Sequence, residues 1–266
     1  MTKQLDIKEY VQQEKEKLRQ ADIEPLHIVV IDPTNHDAGN QLYLQGMLRD
    51  FMSLGWTVNV ESVTAPAEYI AACDTWQNVE GVDAIFTLRP ACPKITLRDA
   101  DISPLYDAEG IHPNALVLPA TVRGILDYLD ACGFKYEGKR AVVIGRSKHV
   151  GLPMARELLK RNMTVTVCHS KTNDRDKYHL CSDVDLVICA AGHPSVLSRT
   201  VTDMDAIVID VGINEVNGKI VGDFQENLSF CRNGWSTPVP GGVGQLTRLG
   251  LIKNCISLFG KGRHYD

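Results

Sequence analysis

The chain has 266 residues, enough for one large or two modest domains around a real core. Hydrophobic residues make up 44% and charged residues 23%, an ordinary globular balance, and a net charge of −5 argues against nucleic acid as the main partner, because phosphate binding needs a basic face. No apolar run reaches membrane-spanning length, and the charged N-terminus lacks the apolar stretch of a signal peptide. The eight scattered cysteines show no C-x-x-C pair or His/Cys ligand spacing, which predicts reduced thiols in a cytoplasmic protein and no metal site.

Residues 6–20 mix charged and apolar positions and read as a surface helix ending before Pro25. Residues 26–31 are a short apolar strand and 32–40 a turn-rich loop. Residues 41–54 have helical spacing, with Leu44, Met47, Leu48 and Phe51 on one stripe. Residues 56–63 alternate as a strand, 65–77 are helical, and 84–88 form a strand that ends at Arg89-Pro90. This first part is an α/β domain of βα repeats.

Residues 119–132 read as a long helix leading into the most informative stretch. Residues 141–160 then give a buried strand, a glycine-flanked turn and an amphipathic helix, and a second strand follows from 164. That is the opening βαβ unit of a nucleotide-binding fold, in which glycines let the backbone approach a pyrophosphate and the helix N-terminus offers free N–H groups. The turn is Gly145-Arg-Ser-Lys-His-Val-Gly151, with Ser147 where G-x-G-x-x-G has its second glycine. A Gly-x-Ser hydrolase elbow is excluded, because no glycine stands two residues after Ser147.

An NAD site usually carries an acid about 20 residues beyond the turn, to hold the ribose 2′-hydroxyl. Here that region is His169, Ser170, Lys171 and Thr172, and with Arg146 it offers cations and hydroxyl groups suited to a 2′-phosphate. The unit reads as an NADP-type Rossmann unit. Further strands over 184–190 and 206–211 end at Ala191-Gly192-His193-Pro194 and Gly212-Ile213-Asn214, and such ends form the ligand crevice of an open α/β sheet. A glycine-rich loop over 237–247 precedes a last helix at 248–259 that returns to the first domain.

Together these segments resemble the bifunctional methylenetetrahydrofolate dehydrogenase/cyclohydrolase family. The likeness runs over residues 26–258. It rests above all on Val143-Ile-Gly-Arg-Ser-Lys-His-Val-Gly-Leu-Pro153, Cys168-His-Ser-Lys-Thr172, Val208-Ile-Asp-Val-Gly-Ile-Asn214 and Pro238-Val-Pro-Gly-Gly-Val-Gly244. The resemblance implies two α/β domains, a substrate domain over 1–121 plus 247–266 and a Rossmann domain over 122–246, with the active cleft between them. It implies NADP held by Gly145, Arg146, Ser147, Ser170 and Ile213, to which the turn and strand ends add Gly151, His169, Lys171 and Gly192.

The folate side departs from the family pattern. Tyr43 matches a tyrosine that stacks on the folate ring, but the lysine four residues on is Met47. The family's glutamine after the third strand is aligned with Thr87, and its pterin-binding aspartate with Glu109. Pro240, Gly241, Gly242 and Thr247 belong to the loop expected to line the substrate cleft, where Arg89 is a further anion-binding candidate.

The resemblance therefore implies oxidation of 5,10-methylenetetrahydrofolate to the methenyl form with NADP, weak or absent cyclohydrolase activity, and a homodimer. Two alternatives stay open: a regulatory NADP-binding protein that has lost catalysis, and a dehydrogenase for another small substrate. Tyr43 and Met47 also read as helix packing, and Glu109 and Arg89 as solvated surface charges.

Overall fold

The computed structural model describes residues 4–34, 38–89, 91–197, 206–224 and 234–262. Of the loop expected over 32–40, residues 35–37 lie outside the described residues, as does Pro90. The chain divides into two compact units, Gln13–Ala120 with Arg248–Asp266, and Met1–Gln12 with Thr121–Thr247. The first twelve residues thus go with the second unit, whereas the sequence assigned them to the first. The cause is aromatic packing. Tyr10 meets the ring of Tyr128 edge-on at 5.4 Å, and the Tyr128 hydroxyl donates to the Leu5 carbonyl.

In chain order the elements begin with α1 (Ile7–Gln20), β1 (His27–Asp32), α2 (Ala38–Met52), β2 (Thr57–Ser62), α3 (Pro66–Trp76) and β3 (Ala84–Thr87). The three strands form a parallel sheet in the order β2-β1-β3. The central strand is apolar on both faces because both are covered. Ile28 and Val30 join Leu44, Met47, Phe51 and Phe86 in one core, while Val29 and Ile31 join Tyr69, Ala72 and Ile85 in another.

The second unit contains α4 (Ala120–Ala131), β4 (Arg140–Ile144), α5 (Gly151–Lys160), β5 (Thr164–Cys168), α6 (Asp174–Cys181), β6 (Leu186–Cys189) and β7 (Ile207–Asp210). A hairpin, β8 (Asn214–Val216) and β9 (Lys219–Val221), and a short β10 (Trp235–Ser236) follow. Its parallel sheet runs β10-β7-β6-β4-β5, so the connections reverse direction beside β4, between β5 and β6. That reversal is the topological switch point at which open α/β sheets bind ligands.

The last helix, α7 (Val243–Gly262), starts five residues earlier than the sequence suggested and takes in half of the glycine-rich loop. Buried Val243 and Leu246 supply the apolar contacts that draw the loop into the helix, and a Cβ on Gly124 would lie 2.0 Å from the Leu246 carbonyl. Among the described residues no helix is long and apolar enough to cross a membrane. Seven cysteines are described, none in a disulfide, and no group of His, Cys, Asp or Glu among the described residues is arranged to hold a metal.

Candidate functional site

The ends of β4, β5 and β6 enclose a cavity of about 480 Å³. Its wall brings together Gly145, Arg146 and Ser147 from the turn after β4, His169 and Ser170 after β5, and Gly192 after β6. All six are residues that the sequence assigns to a nucleotide. Gly151 and Lys171 are not on the wall, and Lys171 is exposed.

The turn has a physical requirement for glycine. Gly145 has φ of 123°, and a Cβ there would lie 2.1 Å from the Ala190 carbonyl; one on Gly151 would lie 2.3 Å from the Gly145 carbonyl. Gly151 therefore serves close packing of the turn on the first turn of α5. The Ser147 hydroxyl accepts from the Val150 and Gly151 N–H groups, both at 3.2 Å, and so organises the helix start in place of a second glycine. Its own hydroxyl proton is left for a ligand.

Beyond β5, the His169 ring accepts the Lys171 N–H at Nδ1, 3.2 Å, which places the ring proton on Nε2 as a donor. Among the described residues that line the cavity there is no carboxylate. Arginine, imidazole and hydroxyl donors with no acid suit a phosphorylated ribose. The loop after β6 is held from below by Asp223, fully buried, which accepts from the backbone N–H groups of Ala191 (2.6 Å), Gly192 (2.8 Å) and His193 (3.0 Å). Asp223 fixes the cavity floor, and nothing in sequence spacing pointed to it.

A second hollow in the same unit is lined by Ile213, Pro240, Gly241 and Gly242. Ile213 is 68% exposed, a large apolar surface open at a strand end. Thr247 stands apart from it, its hydroxyl bonded to the Val243 carbonyl at 3.0 Å.

In the other unit the residues expected to hold substrate separate into two groups. Tyr43 and Glu109 come together. Burial holds the Tyr43 phenol proton well above its usual range, the charges of Glu109 and Asp50 push the same way, and Arg248 opposes them. The Glu109 carboxylate, 24% exposed, is pushed up to about 7 by burial, against the pull of Arg89 and with a further push from Asp107. Arg89 lies between two acids, its Nε 3.5 Å from Glu109 Oε2 and its Nη2 3.8 Å from Asp99 Oδ1. It is neither a lone surface charge nor an open anion site.

Met47 and Thr87 do not share a face. Met47 is 1% exposed and packs in the core that contains Ala84, Phe86 and Leu88, whereas Thr87 alternates onto the side of Ile85. Leu88 thus joins Met47 in that core, and the Thr87 side chain turns to the other face while the Thr87 backbone N–H reaches the Glu109 carboxylate. The Thr87 hydroxyl is buried on the side of Tyr69, whose phenol it meets.

Sequence reasoning also missed Arg248. It bonds Asp50 at 2.8 Å, and its guanidinium lies 2.9 Å from where a Gly46 Cβ would be, so Gly46 leaves it room beside Tyr43.

Residues 119–262, more than half of the chain, match the family model described as tetrahydrofolate dehydrogenase/cyclohydrolase, NAD(P)-binding domain. A bifunctional protein FolD 2 from Lactobacillus johnsonii is 32% identical over 271 residues, spanning 95% of this chain and 93% of that protein. The chain belongs to the tetrahydrofolate dehydrogenase/cyclohydrolase family. A bifunctional protein FolD from Halothermothrix orenii is 38% identical, over 76% of this chain and 74% of its own. Among solved structures, the bifunctional FolD enzyme of Campylobacter jejuni superposes with a TM-score of 0.82 at 31% identity, covering 96% of this chain and 95% of that one. The cavity at the ends of β4, β5 and β6 therefore lies in the family's NAD(P)-binding domain.

Proposed function

We propose that this protein oxidises 5,10-methylenetetrahydrofolate to 5,10-methenyltetrahydrofolate with NADP, and that it has little or no cyclohydrolase activity. The carrying observation is a contrast. The nucleotide cavity keeps its glycine turn and acid-free donor set, whereas the lysine position of the substrate site is a thioether sealed in the core. When bound, the nicotinamide accepts a hydride from the methylene carbon, and no side chain has to ionise in that step.

The protein's task is to position the two rings. Tyr43 offers a flat face to the pterin, Glu109 offers two acceptor oxygens to its amino and amide edge when ionised, and Arg89 pulls that carboxylate toward its charged form against the larger push of burial. Ile213 and the Pro240–Gly242 segment, with Thr247 behind it, frame the nicotinamide end, and Arg146, Ser147, His169 and Ser170 hold the phosphates. The same reading includes a homodimer, which sedimentation equilibrium tests.

A spectrophotometric assay with methylenetetrahydrofolate and NADP tests the activity through the NADPH band. Tight NADP binding without NADPH formation would replace this reading by that of a binding protein. Replacing Arg146 by Ala should weaken NADP by about tenfold or more, the worth of one charge-assisted hydrogen bond, and leave NAD unchanged. Calorimetric titration of both cofactors checks this, and equal affinity of the parent protein for NAD and NADP would contradict it.

A further inference from the structure

We propose that the cavity selects adenine, through the Lys177 ammonium and the Val196 carbonyl acting together as a donor–acceptor pair. The two atoms lie 3.5 Å apart on its wall, Lys177 on α6 and Val196 in the segment after β6. The proposal rests on the reading of this cavity as the NADP site. Adenine presents, side by side, a ring-nitrogen acceptor at N1 and an amino donor at N6, and an ammonium beside a carbonyl is the complement of that edge.

Both partners are held in place. The Val196 N–H donates to the Asp223 carbonyl at 2.9 Å, which anchors the segment. The Lys177 side chain is only 15% exposed, and its ammonium is steadied by Asp174 Oδ1 at 2.7 Å, on a side chain that is itself 98% exposed. An ammonium has three protons, so with one directed to Asp174 and one to Val196, a third remains for a ring nitrogen. The carbonyl keeps a second lone pair for the N6 amino group. Ile144, Ala190 and the Val196 side chain give the same wall an apolar surface for the ring faces.

A 2′-phosphate is the competing partner for Lys177. The carboxylate of Asp174, 2.7 Å from the ammonium, repels a dianion, and Arg146, His169 and Ser170 already supply donors for it without an acid nearby. Hypoxanthine differs from adenine at this edge alone. Its N1 is a donor and its O6 an acceptor, so each would face a group of its own kind.

Calorimetric titration of the full chain with NADP, NAD and the hypoxanthine analogue of NADP tests this. The parent should bind NADP at least about tenfold more tightly than the analogue, the worth of one hydrogen bond left unmade. Lys177→Met should bring that ratio close to one and weaken NAD and NADP by the same factor. Its undiminished preference for NADP over NAD would show the pocket intact. Lys177→Arg, which keeps a donor, should keep part of the ratio. A parent that binds both base forms equally, or a Lys177→Met variant that keeps the ratio or loses affinity for NADP alone, would overturn the proposal. Failure of the parent to bind any of the three would instead overturn the NADP reading beneath it.

Discussion

Methenyltetrahydrofolate supplied to the purified protein is expected to disappear at close to the buffer rate. Water attack on the methenyl carbon needs proton transfer, and general acid–base help is typically worth about 10²–10⁴-fold. A thioether carries no proton to give, and Met47 is 1% exposed in a core with Leu44 and Phe86. Leu88, in the same apolar core, offers no group to orient a water. Arg248, whose charge acts on Tyr43, is bonded to Asp50, and a guanidinium has donors and no acceptor, so it offers no base.

Changing Met47 to Lys alone is expected to restore little hydrolysis and to destabilise the protein, because an ammonium would be buried in an apolar cluster. Pairing it with Leu88→Gln supplies a polar partner on the same face and should recover part of the rate. Robust hydrolysis by the parent protein, followed by loss of the methenyl absorbance, would sink this account of the site.

The cofactor half of the chain was legible because its signals are local. A strand, a glycine turn and a helix start lie within one run of 141–160, and the cavity assembles from that run and two strand ends. The hairpin β8–β9 carried an equally local mark, Asn217-Gly218 with φ of 52° and 74°, the pair that a tight hairpin turn demands. Helix α6 was marked by Asn173, which caps it by accepting the Asp176 N–H at 2.8 Å. Neither was drawn from the sequence.

The substrate side was less legible because its order depends on register and on long-range partners. A one-residue shift at the end of β3 exchanges Thr87 for Leu88 on the Met47 face, and four residues of apolar pattern do not fix that shift. Arg89 pairs with Glu109 twenty positions away, and Arg248 with Asp50 across 198. Spacing shows neither. Asp223 reaches the loop at 191–193 from beyond the hairpin, so its role too is invisible until the chain is folded.

The dehydrogenase kcat/KM is expected to rise with pH through about 7 and then level off. Glu109 binds an edge of donors only when ionised, and burial, reinforced by Asp107 and opposed by Arg89, pushes its carboxyl up to about 7. The Tyr43 phenol faces the same carboxylate and stays protonated throughout, so it adds no limb in this range. Glu109→Gln should flatten the rise and lower kcat/KM by about 10²-fold, since one charge-assisted bond is lost and an amide donor faces another donor.

Stability should move the opposite way. The folded carboxyl titrates near 7 against an ordinary value of 4.5, so between these limits the native state holds more protons than the unfolded chain. Stability therefore falls as pH rises across that window and stays lowered above it. The full shift corresponds to about 3 kcal/mol at most, and the remaining exposure of the carboxylate reduces it. Glu109→Gln removes this cost, so the variant should unfold at the same or a higher temperature than the parent at pH 8 and lose that advantage toward pH 5. A parent whose kcat/KM is flat from pH 5.5 to 8 would show that Glu109 does not meet the substrate. A variant less stable than the parent at pH 8 would show instead that its pairing with Arg89 outweighs its burial.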